Sequence, residues 1–163
     1  MKTVLIRNKR ILIFVFILIN LLILSGCGAP NVEWTLTISG NVNQTTTFTY
    51  KELADMPQID LSDVYMEKSR GEDEIRSFSG VLLKDLLEAA GVTEDFSTIT
   101  AFASDGYAID ISKDELANGI VALKDGGDWI AKQGTDEGPI RLVFPTAPAN
   151  RWIYQVTEIV VNP

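Results

Sequence analysis

The stretch that most constrains this chain is Gly138 to Val161, GPIRLVFPTAPANRWIYQVTEIVV. Pro139-Ile140-Arg141-Leu142-Val143-Phe144-Pro145 is a short apolar run bounded by prolines, and such a run predicts a strand buried on both faces. It carries one charge. An arginine inside an otherwise apolar strand must find carboxylates, backbone carbonyls or an anionic ligand, because burying it unpaired is strongly unfavourable. Asp105 and Asp110 are the partners we expect for it. Trp152 to Val161, with Ile153, Val156, Ile159, Val160 and Val161, predicts a closing strand in the same core. The intervening loop, Thr146 to Asn150, is positioned to line a pocket.

The chain before this stretch mixes two hydrophobic periods. Trp34-Thr35-Leu36-Thr37-Ile38 alternates as a half-buried strand does, ending at Gly40. Thr49 followed by Glu52 is a capping-box pattern, so a short helix is expected there, stopped by Pro57. Ile59 to Met66 and Ile75 to Phe78 flank a charged, Gly-containing turn and predict a hairpin. Leu82, Leu83, Leu86, Leu87 and Ala90 fall on one face of a helix that Gly91 ends. Thr98 to Ala103 and Ala108 to Ile111 read as strands joined through the Asp105-Gly106 turn. Ser112 and Glu115 form a second capping box, opening a short helix to Asn118, and Ile120 to Leu123 is a further strand. Irregular alternation of strands and helices, with several hairpin turns, predicts an α+β fold: one domain of mixed or antiparallel sheet carrying short helices.

Met1 to Arg10 is basic, and Ile11 to Leu24 is an apolar run of 14 residues broken only by Asn20, too short for a comfortable bilayer span but suited to a signal sequence. Leu24-Ser25-Gly26-Cys27 follows and resembles the lipobox of bacterial lipoproteins, in which the cysteine is diacylglyceryl-modified and the leader is removed just before it. That resemblance implies cleavage after residue 26, lipidation of Cys27, a short linker over 27–33 and a domain over 34–163 at the extracytoplasmic face of the cell membrane. Two acyl chains on one residue make a stable anchor.

Charge narrows the partners. Of the 14 lysines and arginines, four (Lys2, Arg7, Lys9, Arg10) precede Cys27, leaving ten against 22 acids and a net charge of −12. Such a surface argues against nucleic acid as a partner. The sequence has no histidine and one cysteine, so Ser-His-Asp and Cys-His catalysis and an internal disulfide are excluded. The acidic runs Glu72-Asp73-Glu74 and Asp125 to Asp128 sit in expected turns and read as solvated faces. No metal site is expected.

Several pieces in order carry a wider resemblance: Trp34-x-Leu36-x-Ile38-x-Gly40; Thr49-Tyr50-x-Glu52-Leu53-x-x-Met56-Pro57; Phe78-x-Gly80-Val81-x-Leu83-x-Asp85-Leu86-Leu87; Asp105-Gly106-Tyr107; Gly138-Pro139-x-Arg141-Leu142-Val143-x-Pro145; and Arg151-Trp152. Together they resemble the sulfite-oxidase-type molybdopterin-binding domain over nearly all of the mature chain. The resemblance implies mixed sheets and a cleft for a molybdenum-pterin cofactor, with Tyr107, Arg141 and Arg151 as candidate cofactor-binding residues and Lys84 or Lys113 as more distant cations.

The sequence also departs from that pattern. In the family's catalytic members a cysteine on the strand before the Phe-x-Gly-Val segment ligates molybdenum, whereas Tyr65 and Met66 stand at about that place here. Neither side chain supplies a soft thiolate. The family's Lys-Trp pair near the C-terminus is replaced by Tyr154-Gln155. These departures favour a non-catalytic, lipid-anchored module that binds a small ligand or a membrane partner, with no catalytic residue and no cofactor. The alternative is a molybdopterin-dependent oxidoreductase subunit that holds its cofactor without a cysteine.

Overall fold

A computed structural model of the chain describes residues 28–92, 95–134 and 137–163; the leader and Cys27 lie outside them. The strands are β1 (Thr35–Gly40), β2 (Thr46–Thr49), β3 (Ile59–Met66), β4 (Glu74–Leu82), β5 (Thr98–Ala103), β6 (Ala108–Ser112), β7 (Ile120–Asp125), β8 (Asp128–Trp129), β9 (Arg141–Val143), β10 (Ile153–Tyr154) and β11 (Val156–Asn162). Two short helices, α1 (Tyr50–Asp55) and α2 (Leu83–Ala89), interrupt them. One sheet has the order β2-β1-β11-β5-β6; the other runs β10-β9-β7-β4-β3, with β8 added beside β7. Only the β1–β11 pair is parallel among these ladders, so the first sheet is mixed and the second antiparallel. This is the α+β architecture the pattern predicts.

Alternation decides which side chains enter the core. Leu36 and Ile38 of β1, Ile99 and Ala101 of β5, and Ile159 and Val161 of β11 are buried, and they join Phe78, Val81, Val121 and Leu142 of the second sheet in a single hydrophobic cluster. The helices cover it with Tyr50 and Leu53 from α1 and Leu83, Leu86 and Leu87 from α2. The expected capping box on α1 is formed: Thr49 Oγ1 accepts from the Glu52 backbone N–H while the Glu52 carboxylate accepts from Thr49 N at 2.7 Å. Gly80 holds β4 against β7, since a Cβ there would lie 2.0 Å from the Val121 carbonyl oxygen and 2.7 Å from Ala122 Cα. At the far end of β1, Gly40 has φ +90° and admits no Cβ beside Val161.

Four local expectations change. The 82–90 apolar stripe begins as strand, because β4 continues through Leu82 to pair with Ile120, and only Leu83 onward is helical. The segment after Ser112 keeps its capping box but makes a 3-10 turn over Lys113–Leu116, not a helix to Asn118. Between the prolines, only Arg141–Val143 joins a ladder, opposite Ile120 to Ala122; prolines have no N–H to donate there. Most consequential, Trp152 to Val161 is not one strand. Gln155 adopts φ +51°, and at that residue the chain leaves β10 in one sheet to enter β11 in the other.

Candidate functional site

The parallel pairing of β1 with β11 puts the starts of both strands at one end of the mixed sheet, where antiparallel β5 ends and β6 begins. Trp34, the Ser104–Tyr107 turn and the sheet-switching Gln155 therefore gather at the end where the chain enters the fold. Trp34 Nε1 donates to the Val156 carbonyl at 2.9 Å, and Ser104 N and Oγ donate to the carbonyl and Oε1 of Gln155 at 3.0 and 2.5 Å. Tyr107 caps the turn that Asp105 and Gly106 make: its N–H donates to Asp105 Oδ1 at 2.9 Å, and its side chain projects into solvent, 52% exposed. It does not pack onto the sheet.

Next to this end, the Ile140 carbonyl accepts from Gln155 N at 3.0 Å, and Arg141 follows it into the second sheet. It is wholly buried, the largest fully buried side chain among the described residues, and pairs across the ladder with Tyr154. Asp105 and Asp110 are not its partners. Nη2 donates to Glu137 Oε2, and Nη1 stands 3.8 Å from Asp125 Oδ2. The guanidinium also faces two rings, with Cζ 4.0 Å from the centroid of Tyr154 and 5.4 Å from that of Phe78. Asp125 in turn holds Arg76, whose Nη2 lies 2.5 Å from Oδ2 and whose Nε donates to Oδ1 at 3.2 Å. Asp125, expected in a solvated turn, is 5% exposed. Burial drives its pKa up despite Arg76 and Arg141, and burial lowers that of Arg141 despite Tyr154, Glu137 and Asp125.

Arg151 sits in a different constellation. Its Nε and Nη2 each donate to a Glu115 carboxylate oxygen at 2.9 Å, and Nη2 also reaches the Asp110 carbonyl at 2.7 Å. With Ser112 donating as well, the Glu115 pKa falls from 4.5 to about 2, Arg151 being the main cause. Trp152 is core, as expected: it is buried, meets Phe78 edge-on at 5.5 Å, and its indole N–H donates to the carbonyls of Phe144 and Ala147.

The Thr146 to Asn150 loop does not line the groove the structure forms. That groove, of about 760 Å³, lies between α2 and the Lys113–Leu116 turn; Leu83, Leu87, Val92, Phe96 and Leu116 form its apolar wall. Lys84 and Lys113 stand on it, bringing together the two cations we regarded as distant, but Tyr107, Arg141 and Arg151 are absent from it. Lys113 Nζ lies 4.8 Å from the Phe96 ring centroid, and Lys84 pairs with Glu88 at 3.5 Å.

These donors do not fit a molybdenum-pterin group. Tyr65, near where a thiolate would be needed, is 58% exposed and donates to Asp73 Oδ2 at 2.5 Å, while Met66 is buried. The only cysteine in the sequence is Cys27. A phosphate-bearing cofactor requires converging cations, yet Arg141 and Arg151 are spent on separate internal carboxylates. Sequence reasoning missed Glu137, Asp125 and Arg76. The strand pattern placed Ile120 to Leu123, but the continuation of β7 to Asp125, opposite Phe78, depends on a cross-strand register that no local pattern reveals.

The sequence pattern of the oxidoreductase molybdopterin binding domain family matches residues 27–163. Among solved structures, the sulfane dehydrogenase SoxCD from Paracoccus pantotrophus is similar, with a TM-score of 0.71 at 20% sequence identity, over 83% of this chain and 40% of that one. The chain thus spans well under half of that protein's length, and the likeness speaks for the fold. Comparison with curated proteins gives no match.

Proposed function

The chain belongs to the oxidoreductase molybdopterin-binding domain family, and from that premise we propose that it acts as a non-catalytic, lipid-anchored binding module on the extracytoplasmic face of the membrane. The observation that carries the reading is the commitment of both candidate cofactor-binding arginines. Arg141 is sealed against Glu137, Asp125 and two aromatic rings, and Arg151 is forked onto Glu115. Catalysis in this fold depends on a soft metal ligand and on cations free to receive an anionic cofactor; this chain has Tyr65 and Met66 at about the place of the ligand, and its two arginines are engaged by internal carboxylates. What persists is a scaffold with the exposed Tyr107 turn at one end and an apolar groove elsewhere.

The anchor follows from the leader and from Cys27. A linker of six residues, 28–33, reaches roughly 20 Å when extended, so the domain works close to the bilayer. The end of the mixed sheet that carries Tyr107 is the end this linker leaves from. In this reading the Tyr107 turn faces the lipid surface or a membrane-embedded partner.

Two experiments test the proposal. Cys27→Ser should move the protein from the membrane to the soluble extracytoplasmic fraction, and retention in the membrane would contradict the anchor. Protein purified from a host that makes the pterin cofactor should show no sulfite- or sulfoxide-dependent electron transfer, and turnover would contradict the non-catalytic role.

A further inference from the structure

The groove between α2 and the Lys113–Leu116 turn is tied to the sheets along both walls. Leu83 N donates to the Gly119 carbonyl at 2.9 Å, Val92 bridges to Val42, and Lys113 N donates to the Ser97 carbonyl at 3.0 Å. Arg151 and the Ser112 cap both grip Glu115, which fixes the turn that carries Lys113 and Leu116. The same contacts say where the groove lies. Asn43 N donates to the Gly91 carbonyl just past the end of β1, and Ser97 N donates to the Asn162 carbonyl at the end of β11. The groove therefore sits where β1 and β11 finish, about 20 Å of strand away from Trp34 and the linker. Its volume, about 760 Å³, is that of a small-molecule site.

The lining has an apolar part and a charged rim. Leu83 and Leu87 are buried, whereas Val92, Phe96 and Leu116 are only partly covered and leave apolar surface bare. Cations stand on both sides of that surface, Lys84 from α2 and Lys113 from the turn. Lys113 is set against the apolar wall itself, with Nζ 4.8 Å from the Phe96 ring centroid. Two acids share the rim, Glu88 and Asp114, and both are exposed. Glu88 faces Lys84 at 3.5 Å, with side chains 64% and 80% exposed, and such a solvated pair holds weakly. An ammonium has three N–H donors, so each lysine can add a carboxylate oxygen without releasing what it already holds. We infer that this groove binds a medium-chain carboxylate from the extracytoplasmic solution, its chain along Val92, Phe96 and Leu116 and its head between Lys84 and Lys113. The bilayer is not the source of the ligand, because the groove lies at the end remote from the anchor. This rests on the reading above that the domain is an anchored binding module, and it names the ligand's class.

The test uses full-length protein in phosphatidylcholine nanodiscs, with the free ligand concentration set by dialysis. Sodium octanoate, sodium hexanoate and 1-octanol are titrated while the methyl resonances of Leu87, Val92 and Leu116 are followed, with those of Leu36 in β1 as the reference. Octanoate should shift the groove methyls saturably and leave Leu36 unmoved. Hexanoate, two methylenes shorter, should bind about tenfold more weakly. In the double variant Lys84→Gln/Lys113→Gln, octanoate should bind about tenfold more weakly than in wild type. Octanol should bind the two proteins alike, so the wild-type preference for octanoate over octanol disappears. No saturable shift, hexanoate or octanol binding wild type as tightly as octanoate does, or equal octanoate affinity in wild type and variant would overturn the inference. Both substituted side chains are exposed, and the Leu36 resonances report whether the variant is folded, so lost binding is distinguished from lost structure. No electron transfer is read, so failure here leaves the anchored, non-catalytic reading standing. Turnover in the earlier assay would sink that reading without touching the groove.

Discussion

Replacing Glu115 by Gln isolates one ion pair. The amide keeps an acceptor for the Ser112 cap, but the charge that Arg151 grips is lost. A pKa drop from 4.5 to about 2 corresponds at most to about 3 kcal/mol of differential interaction. Both side chains are about 30% exposed (29% for Arg151 and 32% for Glu115), so solvent screening brings the expected loss to about 1–2 kcal/mol. The sign is set by a depressed folded-state pKa. The contribution is fully present above the unfolded value near 4.5 and is lost as pH falls through the folded value near 2. Urea unfolding should therefore find Glu115→Gln about 1–2 kcal/mol less stable at pH 7, with a Tm lowered by about 3–8 °C. The gap should narrow below pH 4.5 and close near pH 2. A deficit of the same size at pH 7 and pH 2.5, or none at pH 7, would refute the assignment of Arg151 to Glu115.

Other expectations concern the fold and its caps. Gly80→Ala should cost about 3 kcal/mol or more, because backbone of β7 stands where the methyl group would go; chemical denaturation measures it, and a change under 1 kcal/mol would mean that β4 and β7 are not held this closely. Thr49→Ala removes the α1 cap and should lower stability by about 1 kcal/mol, with Thr49→Ser restoring most of it in the same assay.

How much of this was legible depended on the range of the interaction. Both capping boxes, the hairpin of Ile59 to Met66 with Ile75 to Phe78 and the Asp105-Gly106 turn are local, and Thr49, Ser112, Gly71 and Gly106 announce them in sequence. The irregular alternation of strand and helix patterns supplied the fold class, and the family's order of motifs implied the same fold. What escaped is non-local. Val156 to Val161 gives no hint that Gln155 breaks the strand before it, since its left-handed φ is imposed by two sheets claiming the chain on either side. Arg141 was rightly read as buried and in need of partners, but its acids come from Glu137, four residues before it, and Asp125, across a ladder; Asp110 instead lends its carbonyl to Arg151. Lys84 and Lys113 looked remote in sequence and share a groove, because α2 packs beside the turn after β6.

The central claim is that this member of the family has turned its cofactor-facing cations inward and works without a molybdenum centre. The most direct measurement is the metal content of full-length protein purified from a host that makes molybdenum-pterin cofactor, by native mass spectrometry with elemental analysis of the same sample. The account predicts a mass equal to the lipidated polypeptide, with molybdenum and tungsten far below stoichiometry. One metal atom and one pterin per chain would contradict it.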